Sequence, residues 1–182
     1  VKTYVDKPSE IVCEHVGLLA QNPVLGPVLD LACGGGRNAV FLAELGFEVE
    51  GVDVSDEALA VAAGRAREAG VTVRLRRADL ESGAPGAVLP ANAYSAVVVV
   101  KYLHRPLIPA IKAALRPGGI IVYETFTRRH LEIATKPSNP DFLLREGELR
   151  TLFADFEPIA GFEGRRENPP RFVAAFVGRK PQ

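Results

Sequence analysis

The residues with the clearest chemical potential are a set of glycines and acids that recur after apolar runs. Gly34 and Gly36 stand in the turn Ala32 to Asn38, directly behind the run Val28-Leu29-Asp30-Leu31, which carries a carboxylate inside it at Asp30. Glycine in such a turn lets the backbone approach a ligand closely and take a positive φ without a Cβ clash. The helix that follows aims its unpaired amides at the same place. Asp53 lies 17 residues beyond Gly36, at the end of a second apolar run, and Asp79 follows a third within Ala78-Asp79-Leu80. Acids so placed suit the hydroxyl and exocyclic amino groups of a nucleoside.

Two ligand classes compete for that turn. Gly34, Gly36 and Ala39 fit G-x-G-x-x-A with Asp53 near the position of a ribose-binding acid, which is the pattern of nicotinamide-dependent oxidoreductases. Asp30 argues against this, because a carboxylate four residues before Gly34 repels a pyrophosphate and favours a cationic ligand. An oxidoreductase would also need a substrate domain for which 182 residues leave little room.

Further along the chain, His104 follows the fourth apolar run and is the best general base if an acceptor must lose a proton; its alternative is to start the next helix. Tyr123, Glu124 and Phe126 leave the fifth run on the same edge. Side chains alternate across a strand, so Tyr123 and Glu124 cannot both face one pocket. Arg145 and Arg171 offer positive charge to an anionic acceptor, or lie on the surface. The polar stretch Arg128 to Asp141 has the length of a lid. No His and carboxylate group has ligand spacing, so no metal is expected.

These residues need elements to hold them. Short apolar runs alternate with helical patterns, which predicts a parallel sheet covered on both faces. Helices are expected at Pro8 to Ala20, Arg37 to Leu45, Ser55 to Ala69 (Ser55 as N-cap, Gly70 as stop), Pro106 to Leu115 and Glu146 to Phe156. Strands are expected at Pro27 to Leu31, Phe47 to Val54, Val71 to Ala78, Tyr94 to Val100 and Ile120 to Thr125. A loop spans Asp79 to Asn92, and Arg116-Pro117-Gly118-Gly119 makes a sharp break. Two final strands, Pro158 to Glu163 and Arg171 to Val177, flank a turn too short for a crossover helix and must be antiparallel.

The run Val28-Leu29-Asp30-Leu31-Ala32-Cys33-Gly34-Gly35-Gly36-Arg37-Asn38 resembles the first motif of class I S-adenosylmethionine-dependent methyltransferases. Glu50-Gly51-Val52-Asp53-Val54-Ser55 resembles their second motif, and Arg116-Pro117-Gly118-Gly119 their turn before strand five. Lys101 to Pro106 and Asn139 to Leu144 are similar to the small tellurite-resistance type members. The resemblance implies a three-layer α/β, Rossmann-like methyltransferase fold, its seven-stranded sheet mostly parallel with the last strand antiparallel. It implies methyl transfer from S-adenosylmethionine to a small-molecule acceptor, releasing S-adenosylhomocysteine. By the same resemblance Asp30, Ala32, Gly34 and Gly36 hold the methionine end, with Arg37 and Asn38 nearby. Asp53 takes the ribose, Val54 packs on the adenine, Ala78, Asp79 and Leu80 frame its edge, and Lys101, as a cofactor-binding residue, and Tyr102, as a catalytic candidate beside His104, lie near the sulfonium. The competing readings are a non-catalytic sensor or scaffold that keeps the cofactor site, and the oxidoreductase.

Composition sets the outer limits. The 47% apolar content supports one domain over 1–182, divided as 1–26 lead-in helix, 27–127 cofactor core and 128–182 acceptor-side loop, helix and hairpin. Twenty-two basic residues balance twenty-two acidic ones, which argues against nucleic acid as a partner. Cys13 and Cys33 have no ligand or disulfide-framework spacing, no run suits a bilayer, and a cytoplasmic protein is expected. No heptad or apolar stripe specifies an oligomeric state.

Overall fold

The computed structural model describes residues 7–82 and 88–182. Part of the expected loop Asp79 to Asn92 lies outside the described residues. The elements in order are α1 (Glu10–Ala20), β1 (Val28–Leu31), α2 (Arg37–Glu44), β2 (Val49–Asp53), α3 (Asp56–Ala69), β3 (Arg74–Arg77) and β4 (Tyr94–Val100). A 3-10 turn (Arg105–Leu107) leads into α4 (Ile108–Ala114), and β5 (Leu115–Phe126), α5 (Glu148–Leu152), β6 (Glu157–Glu167) and β7 (Pro170–Arg179) follow. The sheet has seven strands in the order β3-β2-β1-β4-β5-β7-β6, and only β7 runs against the rest.

Side-chain alternation divides the interior into two layers. Val97 and Val99 of β4 join Leu31, Ile121, Tyr123, Phe153 and Phe176 on the face of α4 and α5. Ala96 and Val98 join Ile11, Val28, Leu42, Ile120 and Val122 on the face of α1 and α2. Asp30 shares parity with Val28, and Glu124 with Val122, so both acids face the α1–α2 side of the sheet.

Local chemistry sets the helix ends. Ser55 accepts a hydrogen bond at its Oγ from the N–H of Ala58 (3.1 Å), with Asp56 and Glu57 in the first turn of α3. Gly70 closes α3 in the left-handed conformation.

Several elements differ from the sequence expectation: β3 is shorter (Arg74–Arg77), β6 is longer (Glu157–Glu167), the helix expected from Pro106 is a 3-10 turn before Ile108–Ala114, and two further departures are larger. Strand β5 begins at Leu115 rather than Ile120, because the Arg-Pro-Gly-Gly segment is absorbed as an irregularity within it: pairing with β4 passes from Tyr94↔Leu115 to Ala96↔Ile120. The N–H of Gly118 donates to the carbonyl of Lys180, and that of Lys180 donates to Gly119. Helix α5 is a single turn where the apolar spacing predicted one from Glu146 to Phe156. The spacing reported burial correctly, since Leu149, Phe153 and Phe156 are buried, but five residues have little helical stability of their own. The two phenylalanines are held by rings: Phe153 stands 5.5 Å from Phe176 and 5.4 Å from Phe156.

Candidate functional site

Strand order reverses between β1 and β4, whose carboxyl ends are neighbours in the sheet. Such a switch point opens a crevice in an open α/β sheet. Ala32 and Lys101, the residues immediately after β1 and β4, both have positive φ (55° and 61°) although neither is glycine. Non-glycine residues held there carry strain, and strain of this kind gathers at functional crevices.

The turn after β1 is tied to β2. Asp53 accepts from the N–H of Gly34 at 2.7 Å through Oδ2 and from the N–H of Ser55 at 3.0 Å through Oδ1. Gly36, the left-handed N-cap of α2 (φ 73°), cannot carry a side chain, because an added Cβ would lie 2.6 Å from Cβ of Ala62 in α3. Gly34 (φ 52°) is different: a Cβ there meets nothing within 4 Å, so its bareness leaves room over the turn. Arg65 of α3 donates to the carbonyl of Gly35 (2.7 Å) and fastens the loop from behind.

Beneath this turn Asp30 is buried, and its Oδ2 accepts from the N–H of Ala39 at 3.0 Å, so it caps α2 in place of the N-cap side chain that Gly36 lacks. Burial pushes the Asp30 carboxyl up to about 7, against the lowering by the Ala39 amide and Arg37, while Asp53 adds to the rise. Asn38 is also committed, its Oδ1 accepting from the N–H of Ser9 (2.8 Å) at the start of α1. The Arg37 guanidinium donates to Oγ of Ser9 (2.9 Å) and reaches the carbonyl of Lys7 (3.4 Å).

On the β3 side, Asp79 is exposed, Leu80 buried and Ala78 between them, while Val54 is half exposed. The Glu81 amide bonds the Asp79 carboxylate (2.9 Å) and is the first cause holding it below its usual range. After β4, the Tyr102 hydroxyl is buried with no hydrogen-bond partner among the described residues. Burial raises its pKa, and the negative charges of Glu81, Asp79 and Asp53 add to that. His104 is partly buried and starts the 3-10 turn without a side-chain cap.

Of the residues read as acceptor-side, Phe126 ends β5 with its ring 5.9 Å from the Lys101 ammonium, while Tyr123, Glu124 and Arg171 are buried in contacts of their own and Arg145 is exposed. Tyr123 is fully buried on the α4–α5 face, its hydroxyl donating to the Tyr102 carbonyl (2.9 Å). Glu124, on the opposite face, is equally buried and accepts from Nε of Arg166 (3.0 Å). Burial raises the Glu124 carboxyl, against the lowering by Arg166 and Arg171. Arg171 is buried too, with its guanidinium 2.7 Å from Glu10 and 3.8 Å from Glu124. Arg145 is exposed; its backbone N–H donates to the Glu148 carboxylate (2.8 Å) and its carbonyl accepts from the Glu148 N–H (3.2 Å).

Several site-building residues had no signal in the sequence. Arg105 makes a two-point pair with Glu148 (2.6 and 2.9 Å) and donates to the carbonyls of Asp141 (2.6 Å) and Leu143 (3.0 Å). With Leu144 bridged to Thr127, the far end of the Arg128–Asp141 segment is fastened beside the β5 terminus rather than free. His130 stacks on Phe126 (4.3 Å between centroids) and accepts from the Phe172 N–H (3.3 Å). A groove of about 670 Å³ runs along the β6–β7 hairpin from Thr127 to Ile159, but it is lined by none of Asp30, Asp53, Lys101 or His104. Among the described residues no group of His, Cys, Asp and Glu is placed to hold a metal, and no helix is long and apolar enough to cross a membrane.

Known proteins give this crevice its context. The chain is 33% identical over 103 residues to a ubiquinone biosynthesis O-methyltransferase of Paraburkholderia phymatum, a match covering 56% of this chain and 44% of that protein. The chain thus spans about half the length of the curated relatives it matches. Its fold superposes on magnesium protoporphyrin IX methyltransferase of Synechocystis PCC 6803 with a TM-score of 0.71 at 16% identity, over 93% of this chain and 81% of the other. It also superposes on TehB of Haemophilus influenzae with a TM-score of 0.67 at 23% identity, over 91% and 62%. Residues 28–119, which contain β1 through the turn inside β5 and every element lining the crevice mouth from Asp30 to His104, match the methyltransferase domain model, and the chain belongs to that family.

Proposed function

We propose that this chain transfers a methyl group from S-adenosylmethionine to a small-molecule acceptor. The observation that carries the reading is the Asp53–Gly34 bond beneath a glycine whose absent Cβ would meet nothing. It creates a bare turn beside an acid that still has lone pairs for two ribose hydroxyls. Arg37 and the buried Asp30 supply opposite charges for a zwitterionic methionine end. Val54 packs on the adenine, with Ala78, Asp79 and Leu80 at its edge.

The cofactor supplies an electrophilic methyl on a sulfonium whose charge disappears during transfer. Residues that exclude water favour that step, and Phe126 with its stacked His130 forms such a wall at the β5 end. Holding the acceptor against the methyl supplies much of the remaining acceleration. His104 is the base available where an acceptor must lose a proton.

The test is calorimetric titration of ligand-stripped protein with S-adenosylhomocysteine, with NADH and NADPH in parallel. Micromolar binding of S-adenosylhomocysteine alone, weakened by Asp53→Ala, is expected. Preference for a nicotinamide cofactor would replace the reading with an oxidoreductase one.

A further inference from the structure

Most arginines around the crevice are matched by acids. Arg166 pairs with Glu14 and Glu124, Arg171 with Glu10, Arg105 with Glu148, and Arg76 with Glu50. Lys101 is the exception at the centre. Its ammonium has no hydrogen bond or ion pair among the described residues, and its closest recorded contact is the Phe126 ring, 5.9 Å to the centroid. Arg37 and Arg171 are near enough to repel it, and the one acid acting on it, Glu124, is buried and bound to Arg166.

Its backbone fixes its location. The Lys101 N–H donates to the Glu124 carbonyl (2.8 Å) while its φ is 61°, so the chain turns sharply where β4 meets β5. Most groups read as holding the cofactor lie at the ends of β1, β2 and β3; Lys101, read from the sequence as a cofactor residue near the sulfonium, follows β4 and leans toward Phe126 on β5. A second cation, Arg37, stands on the cofactor side and bonds only the neutral oxygens of Ser9 and Lys7.

We propose that Lys101 is a specificity-determining residue whose ammonium binds an acidic group, a carboxylate or an ionised phenol, on the methyl acceptor. This rests on the methyltransferase reading of the crevice. The residue is exposed as a whole, but partial desolvation of its ammonium, followed by the two neighbouring guanidiniums, depresses its pKa, and an arriving anion offsets that cost. An ammonium carries three donors and no planar fork, so it accepts either kind of anionic oxygen. A neutral analogue would leave the cation unmatched and lose affinity.

The experiment compares isosteric pairs, benzoate with benzamide and 4-nitrophenolate at pH 8 with 4-nitroanisole, by calorimetry with and without saturating S-adenosylhomocysteine. The expected result is at least tenfold tighter binding of one or both anions than of their neutral partners; which pair shows it identifies the acidic group. Lys101→Gln should reduce the preference below twofold and Lys101→Arg should restore most of it, with S-adenosylhomocysteine affinity within twofold of wild type in both. Thermal melts establish that the variants are folded. Equal binding within each pair, no binding of either anion, or an unchanged preference in a folded Lys101→Gln overturns the proposal. So does a tenfold loss of S-adenosylhomocysteine affinity in that variant, which would assign Lys101 to the cofactor. Failure of wild-type protein to bind S-adenosylhomocysteine instead indicts the cofactor reading, and the arm without it still reports the anion preference.

Discussion

Asp53 on β2 and Gly34 in the turn after β1 are joined by a 2.7 Å hydrogen bond from the glycine N–H to the carboxylate. The acid therefore shapes the turn, and under the proposed function it also presents oxygen to the ribose, so its removal has two effects. Asp53→Ala leaves two backbone donors, those of Gly34 and Ser55, to water; at this partly exposed position the expected stability loss is about 1 kcal/mol. In the proposed complex, charge-assisted bonds from Asp53 to the ribose would contribute about 1.5–3 kcal/mol, so affinity for S-adenosylhomocysteine should fall about 10- to 100-fold. Calorimetry and urea denaturation on the same preparation separate the two. A variant that binds as wild type would remove Asp53 from the site.

The two left-handed glycines of the turn should respond differently to alanine. Gly36→Ala adds a Cβ 2.6 Å from that of Ala62 at a φ of 73°, and overpacking plus left-handed strain should cost about 2–4 kcal/mol. Gly34→Ala meets no atom and should cost only about 1 kcal/mol, yet its methyl would stand where a ligand approaches. The expected pattern is a large drop in Tm for Gly36→Ala with residual binding, and a small drop for Gly34→Ala with binding lost. The reverse pattern would show that Gly34 does not face the ligand.

Much of this crevice was legible in the sequence because its parts are local. A valine run, a glycine turn and an acid at a strand end each signal themselves within ten residues, and β/α alternation fixes which ends come together. Alternation also showed that Tyr123 and Glu124 must part, though not that the face given to Glu124 is filled by an ion cluster. That cluster depends on pairs such as Arg166 with Glu14, 152 residues apart, and nothing local announces them. The same holds for Arg105, which reads as an ordinary charge before a proline, and for the Ala62 methyl that forces glycine at 36. Helix α5 was overdrawn for the opposite reason: helical spacing reports which side chains are buried, and here aromatic packing buries Phe153 and Phe156 without a helix.

Arg105 should act as the tether of the segment beyond β5. It reaches Glu148 and the carbonyls of Asp141 and Leu143, so Arg105→Leu removes four hydrogen bonds while the buried Leu143 and Leu144 still anchor the chain. The expected effect is local opening rather than global unfolding. Amide exchange over residues 139–148 should quicken by at least tenfold, with the β1 and β4 amides unchanged. Uniform quickening across the sheet would show that the pair stabilises the whole fold instead.

Asp30 predicts a pH dependence with a definite sign. Its carboxyl lies at about 7 in the folded chain against 3.8 when exposed, so folding favours the protonated form. Stability from this group is complete below about pH 4, declines as pH rises toward 7, and stays reduced above that. The difference this makes to stability between pH 4 and pH 8 is expected to be about 1–3 kcal/mol. Asp30→Asn, which can still accept from the Ala39 N–H, should therefore be more stable than wild type at pH 8 and no more stable at pH 4. A ligand ammonium reverses the preference by drawing the carboxylate into its charged form. Wild-type affinity for S-adenosylhomocysteine should fall as pH drops below 7, and at pH 6.5 binding should release protons, detectable by calorimetry in buffers of different ionisation enthalpy. The Asn variant should bind more weakly at pH 8 and lose that proton release. Parallel stability curves for the two proteins between pH 5 and 8 would mean that Asp30 is ionised throughout, and its place beneath the turn would then be that of a helix cap alone.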